Sequence, residues 1–298
     1  MVQMVIRLET DLFLLEILGE VEPPHPLAQH IFSIMELMLF TNKVELAIEG
    51  YNAGIDRVVI DLERRGKTER QNGYHLEIND HTIEDIVLIK SAVPITVLCR
   101  SNSFYKGIRE EIEQIIAAGA DVIMLPMFRT YREVEQFLYF VGGRARTSLL
   151  FETRQAVETA HLIRQLEFDE VYVGLNDLRI SYELEFSYQL LAEGIIDQVR
   201  ENFPRVDFGF GGITILDYGQ PLATRDIIKE LARLKSTQVI VRRAFKRDIE
   251  GRNMNIEGNR LKRYFELCLS YSESEVAFHH KAVKQQIEDI IEEINLVL

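Results

Sequence analysis

Ala53-Gly54-Ile55-Asp56-Arg57-Val58-Val59-Ile60 is answered further along the chain by Ala118-Gly119-Ala120-Asp121-Val122-Ile123-Met124-Leu125 and, more loosely, by Phe168-Asp169-Glu170-Val171-Tyr172-Val173. Each phrase reads as a helix ending and a buried strand beginning. Glycine takes the left-handed conformation that closes a helix, and the apolar run behind it suits a strand covered on both faces. The same rule applied along the chain yields eight short apolar runs: Met38 to Thr41, Arg57 to Leu62, Ile95 to Cys99, Val122 to Pro126, Ser148 to Phe151, Val171 to Leu175, Val206 to Phe210 and Gln238 to Val241. Helical patterns separate most of them. Between the fourth and fifth, Thr130 precedes a stretch that places Val134, Phe137 and Leu138 on one face, which predicts an amphipathic helix with a threonine cap. Eight alternating units match an α/β fold of the (β/α)8 TIM-barrel type better than a doubly wound sheet, which usually has fewer strands.

The expected organisation is therefore an N-terminal segment over 1–35, broken by Pro23, Pro24 and Pro26, a barrel over 36–250, and a C-terminal helical extension over 251–298. The extension carries an apolar stripe through Val283, Ile287, Ile290 and Ile291 and no further strand. It is expected to pack on a neighbouring copy or on the outside of the barrel.

Composition narrows the class. The chain has 298 residues, 47% hydrophobic and 27% charged, which suits one large core and neither disorder nor a fibrous repeat. With 47 acidic against 34 basic side chains the net charge is -13, which repels phosphate backbones and anionic lipid surfaces. Nucleic acid and membrane are not expected partners. The apolar stretches are too short to cross a bilayer, Cys99 and Cys268 have no CxxC spacing, and the N-terminus lacks the pattern of a signal peptide. A cytoplasmic location follows as an expectation.

In such a barrel the functional groups sit at the C-terminal ends of the strands. The residues just past the predicted strands are polar: Asn42, then Asp61, Glu63 and Arg64, then Arg100 and Asn102, Glu152, and Asn176 with Asp177. Glu152 and Asp177 follow consecutive strands, and two neighbouring carboxylates repel unless a cation lies between them, which suits Mg2+ or Mn2+. The plainer alternative is that each acid caps the helix behind it. Arg100 would hold a substrate carboxylate or an enolate oxygen, and its plainer role is an ion pair with Glu63 or Asp61; the two are compatible. Gly211 and Gly212 could let backbone amides approach a substrate oxyanion, or simply make a tight turn. Phe104, Tyr105 and Phe128 could shape an acceptor pocket, although aromatic residues at strand ends more often serve packing. No HExxH, GxxxxGK[ST] or GxSxG motif occurs, and no predicted strand core holds the lysine that a Schiff-base aldolase requires. His75, His81, His279 and His280 are scattered, and solvated or structural roles are expected for them.

Five blocks in order carry a resemblance: Ile60-Asp61-Leu62-Glu63, Arg100-Ser101-Asn102, Gly119 to Pro126, Phe151-Glu152-Thr153-Arg154-Gln155-Ala156, and Val173-Gly174-Leu175-Asn176-Asp177-Leu178. Together they resemble the HpcH/HpaI aldolase and citrate lyase family of the phosphoenolpyruvate/pyruvate-type barrels. The resemblance implies a divalent ion on Glu152 and Asp177, substrate contact from Arg100, and scission or formation of a carbon–carbon bond in a 2-keto or hydroxy acid through a metal-stabilised enolate. It also implies trimers or hexamers with the C-terminal helices at the subunit contact. Pyruvate aldolases of the family carry a histidine base after the second strand, where this chain reads Asp61-Leu62-Glu63-Arg64-Arg65-Gly66-Lys67. Glu63, working with a water on the ion, is then expected to handle the proton, with Asp61, Asn102, Arg64, Gly211 and Gly212 around the substrate. Two other readings stay open. One is a CoA-thioester lyase in which Arg64, Arg65 and Lys67 meet the CoA phosphates; the other is a catalytically silent barrel that binds a keto acid.

Overall fold

The computed structural model describes residues 35–65, 80–242 and 244–297. Apart from Met35, the expected N-terminal segment lies outside them, as do Gly66, Lys67 and His75. Eight parallel strands alternate with helices: β1 Glu36–Phe40, α1 Val44–Asn52, β2 Arg57–Asp61, α2 Ile83–Ala92, β3 Thr96–Arg100, α3 Ile108–Ala117, β4 Val122–Leu125, α4 Tyr131–Val141, β5 Arg146–Phe151, α5 Arg154–Ile163 and β6 Glu170–Val173. Three short helices follow, α6 Leu175–Ser181, α7 Gln189–Ala192 and α8 Ile195–Asn202, before β7 Asp207–Phe210, α9 Thr224–Arg233 and β8 Gln238–Val241. The chain then runs through α10 Ala244–Asp248 into α11 Met254–Leu269 and α12 Glu273–Val297. This is the (β/α)8 barrel that the repeated glycine-strand phrase predicts.

The strands are hydrogen-bonded in the order β7-β6-β5-β4-β3-β2-β1-β8. The ring closes between β7 and β8 by other means. Thr237 N–H donates to the Phe208 carbonyl (2.8 Å), Ile213 N–H to Ile240 (2.9 Å) and Arg242 N–H back to Ile213 (2.6 Å), so the turn after β7 hooks onto β8. Gly209 is required here, because a Cβ on it would lie 2.3 Å from the Gln238 carbonyl oxygen.

Alternation along the strands sorts their side chains into two layers. Met38, Val59, Leu98, Val122, Met124, Leu150 and Tyr172 fill the interior of the ring, with Phe40 and Ile240 beside them. Their neighbours, such as Leu37, Leu39, Val58, Ile60, Val239 and Val241, face the helices and join the larger core. At the N-terminal ends of the strands the interior is ionic. Arg57 pairs with both oxygens of Glu170 (2.8 Å each) and with Glu36, and Arg146 bridges Glu170 (3.2 Å) and Asp207 (2.8 Å). Burial lifts the pKa of both Glu36 and Glu170 above the usual carboxylate value, and the attraction of Arg57 offsets it only in part. These inward charges explain why β1 and β5 begin earlier than their apolar runs: Glu36 and Arg146 break the apolar pattern while still occupying strand positions.

The threonine cap of α4 is present, with Thr130 Oγ1 accepting from Glu133 N–H and Val134 and Phe137 buried. One boundary differs with consequence. β6 stops at Val173, and Leu175 opens α6 rather than ending the strand. Of the two surfaces expected for the C-terminal extension, it uses the outside of its own barrel: α11 packs on α9 and α1, and α12 lies along α7 and α9 with Val283 and Ile287 fully buried. Among the described residues no helix is long and apolar enough to cross a membrane.

Candidate active site

The mouth of the barrel is built around Arg100, the last residue of β3. In the parallel register Asp61 of β2 lies beside it. The Arg100 Nε and Nη2 atoms both donate to Asp61 (2.8 Å each), while Nη1 lies 3.4 Å from Glu63 and 3.7 Å from Glu152. Burial opposes the charge of the guanidinium, yet Asp61, then Glu63 and Glu152, outweigh it and raise its pKa above the ordinary arginine value. Asp61 and Glu63 are each 1% exposed and Glu152 4%. Three buried carboxylates thus gather around one guanidinium. The bidentate edge of Arg100 is taken by Asp61, and Nη1 is turned toward Glu63 and Glu152.

Glu152 owes its place to its neighbours. Thr153 caps α5 by accepting from Ala156 N–H (3.1 Å) and donates its own hydroxyl to the Phe128 carbonyl (2.7 Å), which fixes the chain directly after Glu152. Across β6, Gly174 leaves the room that the carboxylate fills: a Cβ there would sit 2.6 Å from Glu152 Oε1 and 2.7 Å from its Cγ. Three residues on, Asp177 lies in the first turn of α6, half-buried, not at a strand end as the apolar run suggests. Among the described residues no group of three or more His, Cys, Asp or Glu side chains is placed to hold a metal ion. Two carboxylates completed by water and substrate oxygens are nevertheless the usual donor set for Mg2+, and the space kept by Gly174 turns Glu152 toward the segment that carries Asp177.

The loops hold this arrangement from behind. Asn102 Oδ1 accepts from the backbone N–H groups of Arg64 and Arg65 (2.9 and 3.0 Å), and its Nδ2 donates to Glu111 (3.1 Å), so its side chain ties the β2 loop to α3. Arg64, exposed at the rim, donates to the His81 carbonyl (3.0 Å). His81 is buried, and its Nδ1 accepts from Asp61 N–H (3.0 Å), a structural role that fixes the neutral tautomer with the proton on Nε2. Asn42 reaches Asp85 in the capping box of α2 (3.4 Å). The aromatic residues serve mainly packing: Phe128 is buried edge-on against Phe151, Phe104 stacks on Phe140, and Tyr105 lies beneath Arg65.

Gly211 and Gly212 sit at the ring closure. Gly211 has φ +67° and its N–H donates to the Val173 carbonyl (3.1 Å), so that amide already has an acceptor. The hydroxyls of Tyr172 and Tyr188 donate to the carbonyls of Gly211 (3.0 Å) and Gly212 (3.2 Å).

No family model matches the sequence, and no curated protein does. Solved structures do. An HpcH/HpaI aldolase from Desulfitobacterium hafniense DCB-2 superposes with a TM-score of 0.53 over 70% of this chain and 85% of its own, at 14% identity. The chain shares its fold with an HpcH/HpaI aldolase. The citrate synthase SbnG superposes equally well, with a TM-score of 0.53 over 72% of this chain and 90% of its own, at 18% identity. The likeness to both is one of fold. Three residues of the mouth escape the motif reading: Gly174, Tyr188 and Arg242. Arg242 was within reach of the rule that takes the first residue past each strand, since it follows Val241 directly. Gly174 and Tyr188 matter only through partners on other elements.

Proposed function

We propose that the barrel is a carbon–carbon lyase of the HpcH/HpaI aldolase and citrate lyase type, acting on a 2-keto or hydroxy acid with a divalent ion, Mg2+ or Mn2+, held by Glu152 and Asp177. The observation that carries this reading is the gathering of three buried carboxylates around Arg100 at the end of the strands where the barrel fold puts its chemistry. The aldolase and the citrate synthase with the same fold lend it chemical precedent. When bound, the ion supplies Lewis acidity to the carbonyl next to the scissile bond.

The residues of the chain do the rest. Asp61 fixes the plane of Arg100 through two parallel hydrogen bonds, so that Nη1 is presented to the ligand without reorganisation. In the reaction Arg100 stabilises the oxygen on which negative charge develops. Glu63, buried and held near Nη1, takes up or returns the proton. Asn102 and His81 position the loop and the strand end that carry Glu63 and Asp61. Self-association, as trimers or hexamers, belongs to the same proposal.

The test is proton NMR of pyruvate in D2O with purified protein. With Mg2+ or Mn2+ the methyl signal is expected to disappear by exchange; EDTA, Glu152→Ala and Asp177→Ala are each expected to slow that loss by at least about a hundredfold. Exchange that survives both substitutions would sink the metal assignment. No exchange in the unmodified protein would turn the search to CoA thioesters, for which the exposed Arg64 and Arg65 offer phosphate contacts, and then to a silent keto-acid-binding barrel.

A further inference from the structure

Alternation along β8 sends Val239 and Val241 outward to the helices and Ile240 inward, so Arg242 falls on the inward side, one step nearer the mouth. Its aliphatic stem lies on Gly212, where a Cβ would come within 2.6 Å of Arg242 Cγ. The glycine therefore makes room for the arginine. Tyr188 fixes the Gly212 carbonyl from the other side, and burial pushes the Tyr188 pKa up to about 12, a rise that the Arg242 charge opposes.

Arg242 differs from the other inward arginines. Arg57 and Arg100 are each matched by two or more carboxylates. Among the described residues the Arg242 guanidinium has no ion pair within 4 Å, and its Nε is buried without a hydrogen-bond partner. Asp248, whose carboxylate feels the Arg242 charge, is already engaged by the Thr214 hydroxyl (2.6 Å) and by Arg247. A guanidinium kept in a rigid seat with donors to spare is suited to bind an anion. The position, at the loops after strands 7 and 8, is also where (β/α)8 barrels frequently bind a phosphate group.

We propose that Arg242 binds a second anionic group of the substrate, so that the barrel takes an acid with two negatively charged ends, a dicarboxylate or a carboxylate joined to a phosphate. This rests on the functional reading above for the first end, which engages the Arg100 side of the mouth, and adds the second.

The test is calorimetric titration of the Mg2+-loaded full chain with pyruvate, 2-oxoglutarate and 3-phosphoglycerate, on the unmodified protein, Arg242→Met and Arg242→Lys. The expected result is that at least one dianion binds about tenfold to a hundredfold more tightly than pyruvate, and that Arg242→Met abolishes this advantage while pyruvate binding stays within about twofold. Arg242→Lys, which keeps stem and charge, recovers part of it. The dianion that gains most tells carboxylate from phosphate. An unchanged ratio of dianion to pyruvate affinity in Arg242→Met overturns the assignment, as does an equal loss of all three ligands in both variants. Methyl exchange of pyruvate without any dianion preference refutes this inference alone. A dianion preference that depends on Arg242, with no exchange, sustains it and refutes the enolate chemistry.

Discussion

The backbone at Gly174 has an ordinary conformation, φ -86°, so nothing in the turn itself asks for glycine. The demand comes from Glu152, whose carboxylate occupies the space of the missing side chain. Gly174→Ala is therefore expected to act through Glu152. It should lower metal affinity about tenfold or more, read by calorimetry with Mn2+, at a stability cost of about 1–3 kcal/mol. Unaltered affinity would mean that Glu152 does not meet the ion from this position. The same residue shows where sequence reading stops. Glu152, Arg100 and Glu63 are visible as polar residues behind apolar runs, because the fold class alone says that such positions face the mouth. The pairing of Arg100 with Asp61 or Glu63 is among the expectations from sequence; that Asp61 takes the bidentate edge, or that Gly174 would serve Glu152, depends on the register between strands, and no local pattern encodes it.

Among the elements, the strands were the most legible, since burial on both faces gives each an apolar run, interrupted mainly by charged residues at the strand ends. The exception is instructive. Leu175 extends the run of β6 but begins α6, and because it is buried in either role its apolarity cannot mark the end of the strand. That single step moves Asp177 from a strand end into a helical turn. The joint between β7 and β8 carries a separate prediction. Gly209→Ala would drive a methyl group against the Gln238 carbonyl oxygen at 2.3 Å and the Tyr172 ring at 2.7 Å, where backbone and a fully buried tyrosine have little freedom to yield. A loss of about 3 kcal/mol in urea unfolding is expected. A loss well under 1 kcal/mol would show that the joint is looser than its hydrogen bonds imply.

For the molecule as a whole, the extension is fastened to the barrel partly by Asp217, which pairs with Arg225 of α9 (2.8 Å) and Arg260 of α11 (2.7 Å). Burial acts to raise the Asp217 pKa, but the two arginines outweigh it and hold it below the usual aspartate value. A depressed carboxylate pKa adds stability that is present above the unfolded value, near pH 4, and fades as the pH falls through the lower folded value. Asp217→Asn should thus lower the unfolding free energy at pH 7 by no more than about 1 kcal/mol given the partial exposure, read as a lower melting temperature, and the gap should close toward pH 3. A gap independent of pH would assign the effect to packing. That this extension is helical could be read from its apolar stripe; that the stripe meets α7 and α9 could not, since the partner faces are set by the order of elements around the ring.

The hook from Gly211 to Ile213 joins the two ends of the cylinder, and β8 is the last of these eight strands to leave the ribosome. The acidic half of the mouth, from Asp61 to Glu152, is thus encoded well before Arg242, which arrives with the strand that completes the circle. A ligand gripped at both ends would recognise only a finished barrel, so that substrate itself would work as a clasp on the ring, favouring the closed molecule over every form in which that strand has come away.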